Sequence, residues 1–141
     1  MSQHANKFLP SPQPGTMPFW EGCKRHQLLL QQCTQCGTQQ FYPRVICTSC
    51  SAPSPEWVEA SGNGTVLSWT IVRHPVSEAY ADDVPYVIAL IKLHEGPTMM
   101  SQIVDCDPES VRSGMRVEVD FQDWTDEISM PVFRLRPDDD N

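Results

Sequence analysis

Cys33-Thr34-Gln35-Cys36 and, ten residues later, Cys47-Thr48-Ser49-Cys50 decide how this chain folds. Two Cys-x-x-Cys pairs supply four thiolates, the donor set that encloses one tetrahedral ion, and Zn²⁺ is the usual occupant. A four-cysteine site keeps no open position for a substrate, so the spacing gives the metal a structural role and sends any chemistry elsewhere. The competing reading is a redox-active dithiol pair, which metal content and mass under non-reducing conditions would separate. The expected ligands are Cys33, Cys36, Cys47 and Cys50.

Working outward, Gly37 directly after the first pair supplies the permissive backbone that a metal knuckle needs, where the second pair has Ser51. Between the pairs the residues predict a tight hairpin, Gln39 to Tyr42 going out and Pro43 to Ile46 coming back. Leu28-Leu29-Leu30 reads as the strand entering the metal site. Before it, Phe19, Trp20, Cys23, His26 and Gln27 fall at helical spacing and predict a short helix with an aromatic face, against the low helix propensity of Gly22. Residues 1–17 hold Pro10, Pro12, Pro14 and Gly15 among polar residues and read as a flexible or extended arm.

From Glu56 onward every signal is β. Asn63-Gly64 is a hairpin cue. Thr65–Val72, Tyr86–Leu93, Met99–Val104, Arg116–Phe121 and Met130–Leu135 are strands by composition or alternation. Asp107-Pro108-Glu109-Ser110 opens a single helical turn before the fourth of these strands. Trp124-Thr125-Asp126-Glu127 reads as an exposed hairpin between the last two. Short strands at this spacing predict a mainly β chain ending in a small five-stranded barrel of OB type, with an open sandwich as the competitor. The expected organisation is an arm over 1–17, a helix plus zinc ribbon over 18–55, the barrel over 56–136 and a disordered acidic tail over 137–141.

The chain has 141 residues and a net charge of -8, and it stays acidic without Asp138 to Asp140. That balance argues against nucleic acid as a partner, although ribbons and OB barrels serve that role elsewhere and a nucleic-acid-binding module is the alternative function. No stretch approaches the roughly 20 apolar residues that cross a bilayer. Met1 to Pro18 lacks the apolar segment of a secretory signal, so unbridged, metal-bound thiols in a cytoplasmic setting are expected.

The whole pattern resembles a known family. Pro18-Phe19-Trp20-Glu21-Gly22 precedes Leu28-Leu29-Leu30-Gln31-Gln32-Cys33, and Phe41-Tyr42-Pro43-Arg44 precedes the second cysteine pair. Trp57-Val58-Glu59-Ala60-Ser61-Gly62 and Gly64-Thr65-Val66-Leu67-Ser68-Trp69-Thr70 follow, then Pro85-Tyr86, Leu93 with Glu95-Gly96, and Gly114-Met115-Arg116-Val117. These stretches, spread over residues 18–136, resemble the acyl-CoA-associated zinc-ribbon/OB-fold family known as domain of unknown function thirty-five. Members often carry Pro where Thr48 stands, a departure that leaves the ligands intact.

The resemblance implies a rubredoxin-like ribbon with structural zinc, and an accessory subunit in place of a stand-alone enzyme. The implied partner is a thiolase-fold protein (a thiolase, lipid-transfer-type aldolase or acyltransferase), with a hydratase-like protein as a further one, in a hetero-oligomer without nucleic acid or membrane. Ribbon and barrel would line a passage for a CoA thioester, and steroid side-chain degradation is one setting of such pairs. Catalytic residues are expected on the partner.

Phe19 and Trp20 have two readings, barrel core or docking surface. Phe41, Tyr42 and Arg44 sit on or near the ribbon turn, and Arg44 could meet a CoA phosphate through its planar guanidinium or form a structural ion pair. Cys23 and Cys106 read as buried small hydrophobes. His4, His26, His74 and His94 have no acid or nucleophile near them in sequence and read as ordinary surface residues.

Overall fold

The computed structural model describes residues 7–137, so Met1 to Asn6 of the arm and all but the first residue of the acidic tail lie outside the described residues. Helix α1 spans Met17–Lys24. It stops short of His26 and Gln27, which the spacing had included. His26 takes a left-handed φ of 60°. Its N–H reaches Cys23 O at 2.9 Å, and the N–H of Gln27 reaches Gly22 O at 2.8 Å. This paired closure satisfies the last carbonyls of the helix and ends it. Gly22 faces β1, where a Cβ would lie 2.7 Å from Leu29 Cγ, so its lack of a side chain lets the helix approach the ribbon.

The first sheet holds β1 (Leu29–Gln32), β2 (Gln39–Gln40) and β3 (Glu56–Glu59) in the order β2-β1-β3, all antiparallel. Two expectations change here. The segment from Glu56, assigned to the barrel, pairs with β1 from Leu29↔Glu59 to Gln32↔Glu56 and belongs to the ribbon sheet. The hairpin expected over 39–46 does not form: β2 pairs with β1, and the return segment makes one isolated bridge, Ile46 to Pro53.

The second sheet closes into a barrel. Its strands are β4 (Asn63–Val72), β5 (Tyr86–Leu93), β6 (Thr98–Val104), β7 (Arg116–Asp123) and β8 (Ser129–Leu135). The order β4-β5-β6-β8-β7 returns from β7 to β4, and β6–β8 is the parallel pair. This five-stranded Greek-key closure is the OB architecture. Asn63-Gly64 is no hairpin turn. Gly64 lies inside β4, paired with both Leu93 of β5 and Val117 of β7. A Cβ there would stand 2.7 Å from Ile91 Cγ2 and 2.8 Å from Lys92 O, so the residue is glycine because the barrel closes tightly at that point.

Strand β5 shows the period-2 burial that a barrel wall requires, with Val87, Ala89, Ile91 and Leu93 inward. They meet Val66, Met99, Ile103, Val117 and Phe133 in a core that continues through Leu30, Leu28, Cys23 and Phe19 into ribbon and helix. The arm is not loose where it is described: Lys7 is buried, its ammonium 2.5 Å from Asp83 and 5.3 Å from the ring centres of both Tyr80 and Trp124. Trp124, expected on an exposed hairpin, is only 6% exposed under that contact. Among the described residues no helix is long and apolar enough to cross a membrane.

Candidate functional site

The two cysteine pairs form matching knuckles. In the first, the N–H groups of Gln35 and Cys36 point at Cys33 Sγ at 3.3 and 3.4 Å. In the second, those of Ser49 and Cys50 point at Cys47 Sγ at 3.3 and 3.5 Å. Each turn closes by the same backbone pair: Gly37 N to Cys33 O (3.1 Å) with Cys33 N to Thr38 O (2.9 Å), and Ser51 N to Cys47 O (3.0 Å) with Cys47 N to Ala52 O (2.8 Å). Gly37 and Ser51 both adopt left-handed φ, 77° and 66°, so the serine does the job of the glycine at a steric cost.

All four sulfurs lie within 4.8 Å of one another, with Cys33–Cys50 at 3.5 Å and Cys36–Cys47 at 3.6 Å. A tetrahedron with metal–sulfur bonds of about 2.3 Å has edges of about 3.8 Å, so the quartet fits one zinc-sized ion. Its electrostatics call for a cation. The Thr38 hydroxyl and N–H hold the Cys36 thiol down to about 6. The N–H groups of Cys36 and Gln35 lower that of Cys33. The N–H of Ala52 pulls the Cys50 thiol down, but the neighbouring thiols of Cys33, Cys36 and Cys47 outweigh it and push it up to about 12. Four thiolates cannot coexist at these distances without a positive charge between them.

Two glutamines that the sequence reading passed over hold the second knuckle in place. Gln31 Oε1 accepts from Arg44 N at 2.8 Å, and Gln31 Nε2 donates to Arg44 O at 3.0 Å, as a neighbouring strand would. Gln40 Nε2 donates to Gln31 Oε1 (2.7 Å) and to Ile46 O (3.2 Å), while Gln40 Oε1 accepts from Thr48 N (2.9 Å). Buried amides thus replace the ladder of the expected hairpin and satisfy backbone groups that would otherwise be orphaned. The one signal available in sequence was the four-glutamine content of two short strands that enter a ribbon core.

The aromatic candidates converge. Phe19 meets Trp20 edge-on at 5.0 Å and Phe41 at 5.5 Å, and Phe41 meets Tyr42 at 4.9 Å, all near perpendicular. Phe19 is buried and belongs to the core, whereas Tyr42 is 53% exposed. All four border a cavity of about 570 Å³ between α1, the ribbon turn, the 76–80 loop and strands β5, β6 and β8. Arg44 stands apart from it. Its backbone is clamped by Gln31, and its exposed guanidinium forms no ion pair with another described residue. Burial pushes the Cys23 thiol up to about 12, as expected of a packed thiol, and also raises that of Cys106, which is half-buried where a buried residue was expected. His26 lies 2.9 Å from Asp123 and stacks on Phe121.

A closed thiolate quartet on a three-stranded ribbon, joined through one core to an OB barrel, defines a zinc-ribbon/OB-fold protein. Comparison with known proteins makes the class specific. Residues 20–56 match the family model described as ChsH2, rubredoxin-like zinc ribbon domain, and residues 57–122 match that described as ChsH2, C-terminal OB-fold domain. A DUF35 domain-containing scaffold protein of Methanothermobacter thermautotrophicus is 38% identical over 119 residues, covering 81% of this chain and 89% of that protein. The chain belongs to the ChsH2/DUF35 family.

A probable enoyl-CoA hydratase alpha subunit of Thermomonospora curvata is 35% identical over 117 residues, covering 82% of this chain but only 36% of that longer protein. Among solved structures, a chain of the Ltp2-ChsH2(DUF35) aldolase superposes with a TM-score of 0.81 at 32% identity, covering 89% of this chain and 98% of that one.

Proposed function

We propose that this chain is a non-catalytic accessory subunit of an acyl-CoA-processing complex in the cytoplasm. Its partner would be a thiolase-fold enzyme, with Cys33, Cys36, Cys47 and Cys50 holding one structural Zn²⁺. The observation that carries the reading is the surface around the ribbon turn. Tyr42, Val45 and Ile46 are exposed there, and the apolar cavity mouth with Val76 and Met100 lies beside Tyr42. Apolar residues gathered in this way mark an interaction surface. The family's scaffold proteins and the aldolase complex support a partner-bound role.

The thiolase fold of the partner, a CoA passage along Phe19, Trp20, Phe41 and Tyr42, and an Arg44 contact with CoA phosphate are the finer parts of the proposal. A hydratase-like protein is a further partner in the same reading. It rests on the longer relative whose name includes that activity and of which this chain spans 36%.

The test is co-expression with thiolase-fold candidates, followed by size-exclusion chromatography, metal analysis and acyl-CoA assays. The expected outcome is one zinc per chain, no turnover by the single chain, and a complex whose activity falls when this chain is removed. Robust acyl-CoA turnover by the purified chain alone would sink the proposal.

A further inference from the structure

We propose that Asp83, Tyr80 and Trp124 form a binding site for a lysine ammonium, filled by the chain's own Lys7, and that this contact latches the arm as a strap over the cleft between α1 and the β7–β8 hairpin.

The burial of the arm is the reverse of what apolar packing would give. Phe8 is 66% exposed and Leu9 43% exposed, while the side chain of Lys7 is 6% exposed. Lysine is almost never fully buried unless it is paired. No residue from 7 to 16 belongs to the hydrophobic core cluster. Charge, and not apolar burial, holds this end of the described arm.

Three segments distant in sequence build the site. A turn in which Asp83 N–H reaches Tyr80 O at 3.0 Å brings the carboxylate and the phenol ring to one ammonium. Trp124 comes from the β7–β8 hairpin, its indole N–H donating to Gln122 Oε1 at 3.2 Å. The carboxylate oxygen lies 2.5 Å from the ammonium, and both ring centres, at 5.3 Å, are within the range of cation–π attraction. Tyr80 also receives the next arm residue. Its Oη accepts from the N–H of Phe8 at 3.2 Å, and its ring meets that of Phe8 at 5.7 Å.

From there the chain bridges a gap. Its second anchor is the turn into α1, where the N–H groups of Thr16 and Met17 both reach Gln13 O at 2.8 Å and that of Gln13 reaches Thr16 Oγ1 at 3.0 Å. Between the anchors, Pro10 and Pro12 have no N–H to donate. Among the described residues, the one hydrogen bond of residues 9–12 is made by Ser11 O, which accepts from Gln13 Nε2 at 3.4 Å. Beneath this span lies a cleft of about 730 Å³, with residues 9–12 on one side and Met17, Trp20, Thr125 and Ile128 on the other. A proline-stiffened span fixed at its ends lifts as a unit when one end lets go. The turn end is continuous with α1, so the Lys7 end is the one that opens. Opening it frees the cleft and the face of Trp124 for a partner segment.

The test uses the full zinc-loaded chain and NMR of the arm. Lys7→Met removes the charge and keeps a long unbranched side chain. In it the protection of the Phe8 amide, corrected for the intrinsic exchange rate, should fall by about tenfold or more. The heteronuclear NOE of Leu9 and Ser11 should fall with it, while that of α1 stays as it is. The indole N–H resonance of Trp124 should shift, because the cation has left its ring. Asp83→Ala should act in the same direction. Since both changes remove one contact, the double variant should lie within about twofold of Lys7→Met.

Phe8 protection within about twofold of wild type in Lys7→Met would overturn the latch. So would a double variant that multiplies the two single losses, because the ammonium and the carboxylate would then act apart. Resonance shifts spread through the barrel core would overturn it as well, by making Lys7 a structural residue and not a latch.

Discussion

Replacing Gln31 by Met keeps the volume of a buried side chain and removes every polar atom of its amide. Gln31 is 4% exposed and makes three hydrogen bonds: from Gln40 Nε2, from Arg44 N, and to Arg44 O. At a net worth of about 1 kcal/mol each, the loss would be about 3 kcal/mol if nothing relaxed. Arg44's backbone is only partly buried and can rehydrate, which brings the expected cost to about 2 kcal/mol. The bonds hold the segment that carries Cys47 and Cys50, so the loss should appear in metal affinity, since binding and ribbon folding are linked. Two kcal/mol corresponds to a drop of about thirtyfold in zinc affinity. The assay is competition against a chromophoric chelator at neutral pH, with urea melts of the barrel followed separately. Gln31→Glu retains the acceptor and loses the donor to Arg44 O, so it should fall between wild type and Gln31→Met. Zinc affinity within about threefold of wild type in Gln31→Met would refute the claim that the amide substitutes for a β ladder.

Three further outcomes follow from the same contacts. Gly64→Ala places a methyl against Ile91 Cγ2 and Lys92 O where β4 joins β5 and β7, and should cost about 2–3 kcal/mol in urea unfolding. Chelation should raise amide exchange between Cys33 and Ala52 while β1, β3 and the barrel keep their protection, since β1–β3 pairing and the core beneath it do not involve the metal; loss of protection throughout would show that the ribbon does not unfold on its own. Asp120 has its carboxyl held below the usual range by its hydrogen bond with Arg134, and then by the N–H of Phe121. A depressed carboxylate contributes stability that is present above its unfolded value of about 4 and is lost as pH falls through the folded value. Asp120→Asn should therefore lower stability at neutral pH and flatten its decline in acid, as read from melting temperature against pH.

What was legible in the chain was local. Tyr86–Leu93 appears as β5 with both ends as expected, because alternation along one strand is written in consecutive residues. The cysteine quartet is legible for the same reason, each pair being its own tight turn. What failed depends on distant neighbours. Glu56–Glu59 is strand-like in composition, but its pairing with β1 across the intervening ribbon is not encoded within the segment itself. Asn63-Gly64 carries a hairpin dipeptide, yet its glycine answers to Ile91 and Lys92 nearly thirty residues away. Gln31 and Gln40 look like surface residues until the 43–48 segment is seen to have lost its ladder. Phe41 and Tyr42 line the cavity while Arg44, two residues on, does not.

The ribbon turn bears on how a structural metal reaches a binding surface. The core is one cluster, in which Phe19, Cys23, Leu28 and Leu30 pack continuously with Val66, Ile91 and Phe133 of the barrel. Close-packed residues of this kind transmit displacement without absorbing it. The knuckles fix residues 33–50, the glutamine amides fix Arg44 and Ile46 to that frame, and Phe41 presses on Phe19 at 5.5 Å. Displacing the metal frees the segment that carries Phe41 and Tyr42, and with it one wall of the cavity, while the barrel walls stay in place. Metal binding and cavity occupancy are then coupled through the ribbon turn, and linkage requires the coupling to act equally in both directions. A ligand in the cavity should tighten zinc binding by the same factor by which zinc tightens the ligand, both measured as equilibrium affinities.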